Sequence, residues 1–277
     1  MFNFAIAGFP KCGTSSMWGA FRRAGLPVHD EEPPLRQIHE IAERYATCER
    51  PAGFKSAVLV YDLETLKQLF EANPSFRVLV GLRDPVEWAW SWFWYQRRIV
   101  EDACKTEGPE TPDGKGLRSS PMFDRDRLSK VRASDFVKSD VPYPKLSRKD
   151  GLFHALLGEM FACFPRERIM LFDVAELSSN WRRTVARCLQ FIEADCLLPD
   201  PIHGNVNQRK PASSTAPEFE TIAYQYYEDS YDKLCDFLTA NDYADLAKLF
   251  SERSRTWSKK VKIAQPRSED SGNTNAV

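Results

Sequence analysis

Zinc and thioredoxin-type chemistry find no ligand pattern in this chain of 277 residues. Its seven cysteines are scattered without a C-x-x-C pair, and His39, His154 and His203 have no spacing that suggests a metal. An odd, dispersed set of cysteines reads as free thiols in a reducing compartment. An excess of positive charge is also missing: 38 Lys and Arg against 39 Asp and Glu give a net charge of -1, so no global field favours nucleic acid. A local anion site needs only a few cations and stays open. No apolar run approaches the ~20 residues of a membrane-spanning helix, and the apolar start "MFNFAIAGF" is too short for a signal peptide. These absences predict a cytoplasmic protein if the chain is the whole gene product. What is present, 43% hydrophobic and 28% charged residues, suits one large α/β domain or two small ones.

Apolar runs alternate with helical periods along the chain. "FNFAIAGF" reads as a buried strand, followed by a Gly/Pro loop and a helix over "TSSMWGAFRRAG". Val28 ends a second short strand, and a helix is expected over roughly 35–46, after tandem prolines. "GFKSAVLVYD" reads as another strand, or as a strand end with a polar tip, "LETLKQLFEAN" as an amphipathic helix, and "FRVLVGLRDP" as the best strand of the chain. "VEWAWSWFWYQRRIVEDA" is a helix with Pro85 near its first turn. Further on come a helix in "GLFHALLGEMFACFP", a strand in "RIMLFDVAEL", a helix in "NWRRTVARCLQFI" and a C-terminal helix in "EFETIAYQYYEDSYDKLCDFL". The alternation predicts a single α/β domain over 1–257, with a central parallel β-sheet flanked by helices. Residues 102–150 form an irregular, ligand-facing insertion, and 258–277 a disordered tail.

In such sheets ligands sit at the carboxyl ends of the strands. The first of these ends carries "GFPKCGTSS". Gly8 and Gly13 have the spacing of a Walker loop, yet Thr14 stands where that motif has lysine, and the only lysine is Lys11, inside the loop. Backbone N–H groups from Cys12 to Ser16, the helix dipole, the hydroxyls of Thr14, Ser15 and Ser16, and the Lys11 ammonium together make an anion cradle. The bland alternative is a glycine turn with a solvated lysine. A second signal is "LRDPVEWAWS". Arg83 ends a strand and can fork onto a phosphate, and Ser91 lies about two helical turns on. Here the bland alternative is an Arg83–Asp84 pair and a serine on a helix face.

Taken together, "PKCGTSS" and "LRDPxxxxxS", each after a strand, resemble the PAPS-dependent sulfotransferase family (PAPS is 3′-phosphoadenosine 5′-phosphosulfate). The likeness runs from Phe4 to about Phe250 and is greatest to the carbohydrate, heparan-sulfate-type branch. It implies a P-loop-like nucleotide-binding fold and sulfuryl transfer to a hydroxyl or amine of a carbohydrate or small-molecule acceptor, releasing 3′,5′-ADP. It implies that Lys11, Cys12, Gly13, Thr14, Ser15 and Ser16 hold the 5′-phosphosulfate, and that Arg83 and Ser91 hold the 3′-phosphate. Glu32 of "DEEPP" aligns with the branch's general base, although the following His-Phe-Phe is replaced by Pro34-Leu35-Arg36. Lys55-Ser56 matches a lysine-Thr/Ser pair. Arg209 and Lys210 of "QRKP" stand where the family closes a basic segment over the cofactor, with proline for glycine. Trp88 replaces an arginine usual in that branch. An excised domain would point to the Golgi lumen instead of the cytoplasm.

The resemblance accounts for the displaced lysine. A sulfuryl group leaves from a phosphate, and charge builds on the bridging oxygen. Lys11 inside the loop can meet that charge, an electrostatic role of a kind worth several kcal/mol, and no metal is required. Glu32 is the expected base, with Glu31, Asp30 and His29 as neighbours and His29 the chemically reasonable rival. Lys55 orients the acceptor, touches the sulfuryl group or pairs with Glu32. The aromatic string from Trp88 to Tyr95 reads as core or as packing around the cofactor site. Two other readings remain: a kinase or NTPase using Mg-ATP, with Asp173 as metal ligand, and a non-catalytic nucleotide-binding protein.

Overall fold

The structure, a computed structural model, describes residues 1–105, 133–138, 151–200 and 217–264. Four parallel strands, β1 (Phe4–Gly8), β2 (Gly53–Lys55), β3 (Arg77–Leu82) and β4 (Ile169–Asp173), form one sheet in the order β2-β1-β3-β4. Their side chains sort to two faces with period two. Phe4, Ile6, Leu79, Met170 and Phe172 enter one core, while Ala5, Ala7, Val78, Val80, Leu82, Ile169 and Leu171 enter the other. Burial on both sides is why these strands read as continuous apolar runs instead of alternating ones.

On the first face lie α1 (Thr14–Arg23), through Met17, Ala20 and Phe21, and α8 (Trp181–Phe191), through Val185, Cys188 and Leu189. The second face is covered by α2 (Ile38–Glu43), α3 (Leu63–Ala72), α4 (Pro85–Lys105), α6 (Phe153–Cys163), α9 (Pro217–Ala240) and α10 (Ala244–Ala264). Two short helices complete the described chain, α5 (Ala133–Lys138), packed on α4 and α9, and α7 (Val174–Ser179). The expected α/β architecture is therefore present. Each large side chain buried in it contributes about 1.5–3 kcal/mol.

Several boundaries differ from the sequence reading. Of the two readings of "GFKSAVLVYD", the strand end with a polar tip forms, stopping at Lys55, and the apolar second half turns inward as a 3-10 turn, burying Leu59 and Val60. Val28 makes only an isolated bridge to Gly53. The helix expected over 35–46 is a 3-10 turn followed by the six residues of α2. The strand expected through "RIMLFDVAEL" stops at Asp173, whose side chain accepts from the N–H groups of Ala175 and Glu176 and starts α7. The C-terminal helix proves to be a pair. α10 continues past the expected boundary at 257 to Ala264, because Trp257 and Val261 are buried against the second core and Lys260 stacks over the Trp257 ring. Residues 265–277 lie outside the described residues. Of the expected insertion 102–150, residues 102–105 complete α4 and 133–138 form α5, and the others lie outside the described residues.

Candidate active site

β2 lies to one side of β1 and β3 to the other, so the strand order reverses between β1 and β3, where an open α/β sheet forms its ligand crevice. Both sequence signals follow the ends of these two strands. Gly8 pairs in register with Gly81, which puts the loop 9–13 directly beside the Arg83 end. The approach is close: a Cβ on Gly81 would lie 2.0 Å from the Cys12 carbonyl oxygen, so only glycine lets the loop rest on β3. Lys11 itself takes a left-handed backbone, φ 68°, and Gly13 follows with φ 80°. For a lysine that conformation costs about 1–2 kcal/mol, offset by the contacts that hold the loop.

Two of those contacts come from the β3–α4 segment. Trp88 Nε1 donates to the Pro10 carbonyl at 2.8 Å, and Arg83 Nη1 reaches the Lys11 carbonyl at 3.4 Å. The Lys11 ammonium rests 4.5 Å from the centroid of the Tyr95 ring, and Arg98 Cζ lies 5.4 Å from the same centroid. Tyr95 is stacked in turn on Trp92, and Trp92 on Trp88. Burial, then the charges of Arg98 and Arg83, hold the Lys11 pKa below its ordinary value of 10.5. Three cations thus converge on one cleft, and no carboxylate among the described residues pairs with Lys11. Such a cluster is poised for an anion.

The N-terminus of α1 opens into the same cleft. Met17 N–H, bonded to the Gly13 carbonyl at 3.0 Å, is the first amide used inside the helix, which leaves those of Gly13 to Ser16 available at the positive end of the dipole. Cys12 departs from the expected set. Its N–H is bonded to the Phe9 carbonyl at 3.0 Å and its side chain is fully buried, where desolvation raises the thiol pKa. The amide cradle therefore begins at Gly13. Ser91 is half-buried on α4 and stands three residues after Trp88 and four before Tyr95, on the helix face that meets the loop.

At the neighbouring strand end, Glu32 and Lys55 meet. Lys55 Nζ is 3.4 Å from Glu32 Oε2, and Ala57 N–H donates to Glu32 Oε1 at 2.5 Å. Two of the neighbouring candidates are otherwise engaged. Asp30 pairs with Arg22 at 3.0 Å, and the His29 ring lies 3.1 Å from the Tyr45 hydroxyl. Glu32 is the member of the acidic run turned toward the β2 end. Arg209 and Lys210 lie outside the described residues.

The Arg83–Asp84 pair does not form. Asp84, 2% exposed, turns away and accepts from Glu87 N–H, Tyr231 and Trp257, while Arg83 meets Glu87 at 3.5 Å. Asp173 is spoken for as well. Its Oδ1 accepts from Arg253 Nη1 at 2.8 Å, and its Oδ2 from Arg253 Nη2, Ala175 N–H and Glu176 N–H at 2.8–3.0 Å. With four donors on it and no exposure, the carboxylate that the kinase reading requires as a metal ligand is committed to structure. The sequence reading missed Tyr95, Arg98 and Glu87 as site residues. The positions 88, 91, 95 and 98 share one helix face, a spacing that held the signal for the first two.

No protein-family model matches the chain, and no curated protein matches it. Among solved structures it resembles a sulfotransferase from Alicyclobacillus acidocaldarius, with a TM-score of 0.54 and 18% identity over 86% of this chain and 96% of that one. A mouse sulfotransferase, SULT7A1 complexed with PAP, aligns at 15% identity over 84% of this chain and 66% of that one, with a TM-score of 0.41. The first likeness establishes a shared fold; the second superposition is too loose to add to it.

Proposed function

We propose that the chain transfers the sulfuryl group of 3′-phosphoadenosine 5′-phosphosulfate to a hydroxyl or amine of a carbohydrate or small-molecule acceptor, releasing 3′,5′-ADP. The observation that carries this reading is the 3.4 Å contact of Arg83 Nη1 with the Lys11 carbonyl. It brings cations from two strand ends into one cleft, as a nucleotide with anionic groups at two places requires.

The donor set fits that nucleotide. The amides of Gly13 to Ser16 and the α1 dipole suit its 5′ end, and Arg83, whose buried Nε makes no hydrogen bond, suits the 3′-phosphate together with Ser91. When bound, the nucleotide supplies a sulfuryl group joined to a phosphate leaving group. Lys11 then neutralises the charge that builds on the bridging oxygen. Glu32 takes the proton of the acceptor as it attacks, and Lys55, 3.4 Å away, holds the Glu32 carboxylate toward the cleft.

The test is incubation with sulfur-labelled PAPS and pooled acceptor classes, with 3′,5′-ADP binding read in parallel in the presence of a chelator. Label in one acceptor class and metal-independent binding are expected. Binding without transfer to any class would leave a nucleotide-binding protein, and magnesium-dependent binding of ATP in preference to 3′,5′-ADP would overturn the reading.

A further inference from the structure

Glu87 is the carboxylate that meets Arg83. Its Oε2 lies 3.5 Å from Arg83 Nε, a buried donor that makes no hydrogen bond of its own. As the third residue of α4, after the capping Asp84, Glu87 occupies the usual place of a capping-box glutamate. Its carboxylate nevertheless sits against the guanidinium. The side chain is 54% exposed, so what holds it there is the Arg83 charge and not packing.

The charges around Glu87 oppose one another. Arg83 and Asp84 face it from the end of β3, Asp173 from the end of β4, and Arg253 from α10. Tyr231 of α9 and Trp257 of α10 sit behind Asp84 as neutral donors. Desolvation on its inner side, then Asp84, lift the Glu87 pKa, against the pull of Arg83 and Arg253. A phosphate on Arg83 would remove the nearest attraction and add a repulsion.

We propose that Glu87 is an internal competitor for the 3′-phosphate at Arg83: the phosphate takes its place on the guanidinium, and the carboxyl, kept beside the phosphate and Asp84, takes up a proton from solvent. The inference rests on the reading that this cleft holds 3′,5′-ADP. Its consequence is a product held less tightly than the cations alone would hold it, and so released sooner. Glu87 is thus a residue that sets affinity for the 3′-phosphate.

The experiment is calorimetric titration of the full chain with 3′,5′-ADP and with 5′-ADP, at a series of pH values from the ordinary carboxylate range up to neutral, in two buffers of different ionisation enthalpy. Wild type is expected to take up more protons than Glu87→Gln on binding 3′,5′-ADP, with no such difference for 5′-ADP. Glu87→Gln is expected to bind 3′,5′-ADP about three- to fivefold tighter, the scale of a partly exposed ion pair. Glu87→Asp, with a shorter reach, is expected to fall between. Equal proton uptake and equal affinity in wild type and Glu87→Gln would overturn the inference and leave the nucleotide reading standing. Absence of 3′,5′-ADP binding by both would overturn the two together.

Discussion

The Tyr231 hydroxyl donates to Asp84 Oδ2 at 2.6 Å across 147 residues of sequence, and Trp257 Nε1 donates to the same oxygen at 3.0 Å. The residue that precedes α4 is therefore fixed by the two C-terminal helices. Burial, then the charge of Asp84, push the Tyr231 pKa well above its usual value, so the phenol stays protonated and remains a donor. Tyr231→Phe leaves a buried carboxylate one partner short. It is expected to destabilise the chain by about 1–3 kcal/mol, read as a lower denaturant midpoint at unchanged slope.

One turn earlier on α10, Arg253 holds Asp173 through two 2.8 Å bonds. Asp173 has no exposure, so removing the guanidinium strands a buried charge. Arg253→Ala is expected to cost about 3–5 kcal/mol. The double variant Arg253→Met with Asp173→Asn is expected to recover part of that loss, since it removes both charges. A double variant no more stable than Arg253→Ala would show that the pair does not act through charge.

The sheet was legible in the sequence because its strands are buried on both faces, so "FAIAG", "RVLVGL" and "IMLFD" stand out as apolar runs. Lys11 and Arg83 were legible for a different reason: each follows a strand directly, and position at a strand end is a sequence property. Asp84 was not. Its partners Tyr231 and Trp257 lie on helices whose register over the sheet no local pattern encodes. Tyr95 was hidden by its neighbours. Trp88, Trp90, Trp92 and Phe93 are core residues, as expected, and the ring beside Lys11 carries the same aromatic signature. α10 was missed because its apolar positions are thinned by eight charged residues among 21, a polar helix made stable by its contacts with α9.

The lowered pKa of Lys11 has a direction that can be checked. Between that lowered value and 10.5, the ordinary value the unfolded chain keeps, the unfolded state holds more protons, so this group makes stability rise with pH. Anion binding has the opposite slope, because it needs the charged ammonium. Affinity for 3′,5′-ADP is expected to fall as pH rises through the lowered pKa, below the usual lysine range. Arg98→Ala removes a like charge and is expected to move that fall to higher pH; Lys11→Arg is expected to abolish it. Binding titrations across pH with the three proteins decide the matter, and coincident profiles would remove Lys11 from the site.

Arg83 and Lys11 are expected to separate in kinetics. Arg83→Ala is expected to weaken 3′,5′-ADP by about 10- to 100-fold, the range for hydrogen bonds to a charged group, with little change for 5′-ADP. Lys11→Ala is expected to lower kcat by about 10²–10³-fold with a smaller change in nucleotide affinity, because its charge matters most as the bond breaks. Equal loss of 5′-ADP and 3′,5′-ADP in Arg83→Ala would reassign that arginine.

Glu32 and Lys55 offer the sharpest test of the base. Glu32 takes a backbone N–H from Ala57 on one oxygen and the Lys55 ammonium on the other. Glu32→Gln keeps the shape and can still meet the Lys55 ammonium through its amide oxygen, but it cannot accept a proton. It is expected to abolish transfer while 3′,5′-ADP binding persists. Lys55→Ala frees the carboxylate without removing it. Its expected effect is a partial loss of kcat, about 10- to 100-fold if Lys55 acts through orientation. The half-buried His29 alternative makes the opposite forecast, with Glu32→Gln near full activity and His29→Ala inactive. Rates of label transfer for the three variants therefore identify which side chain takes the proton.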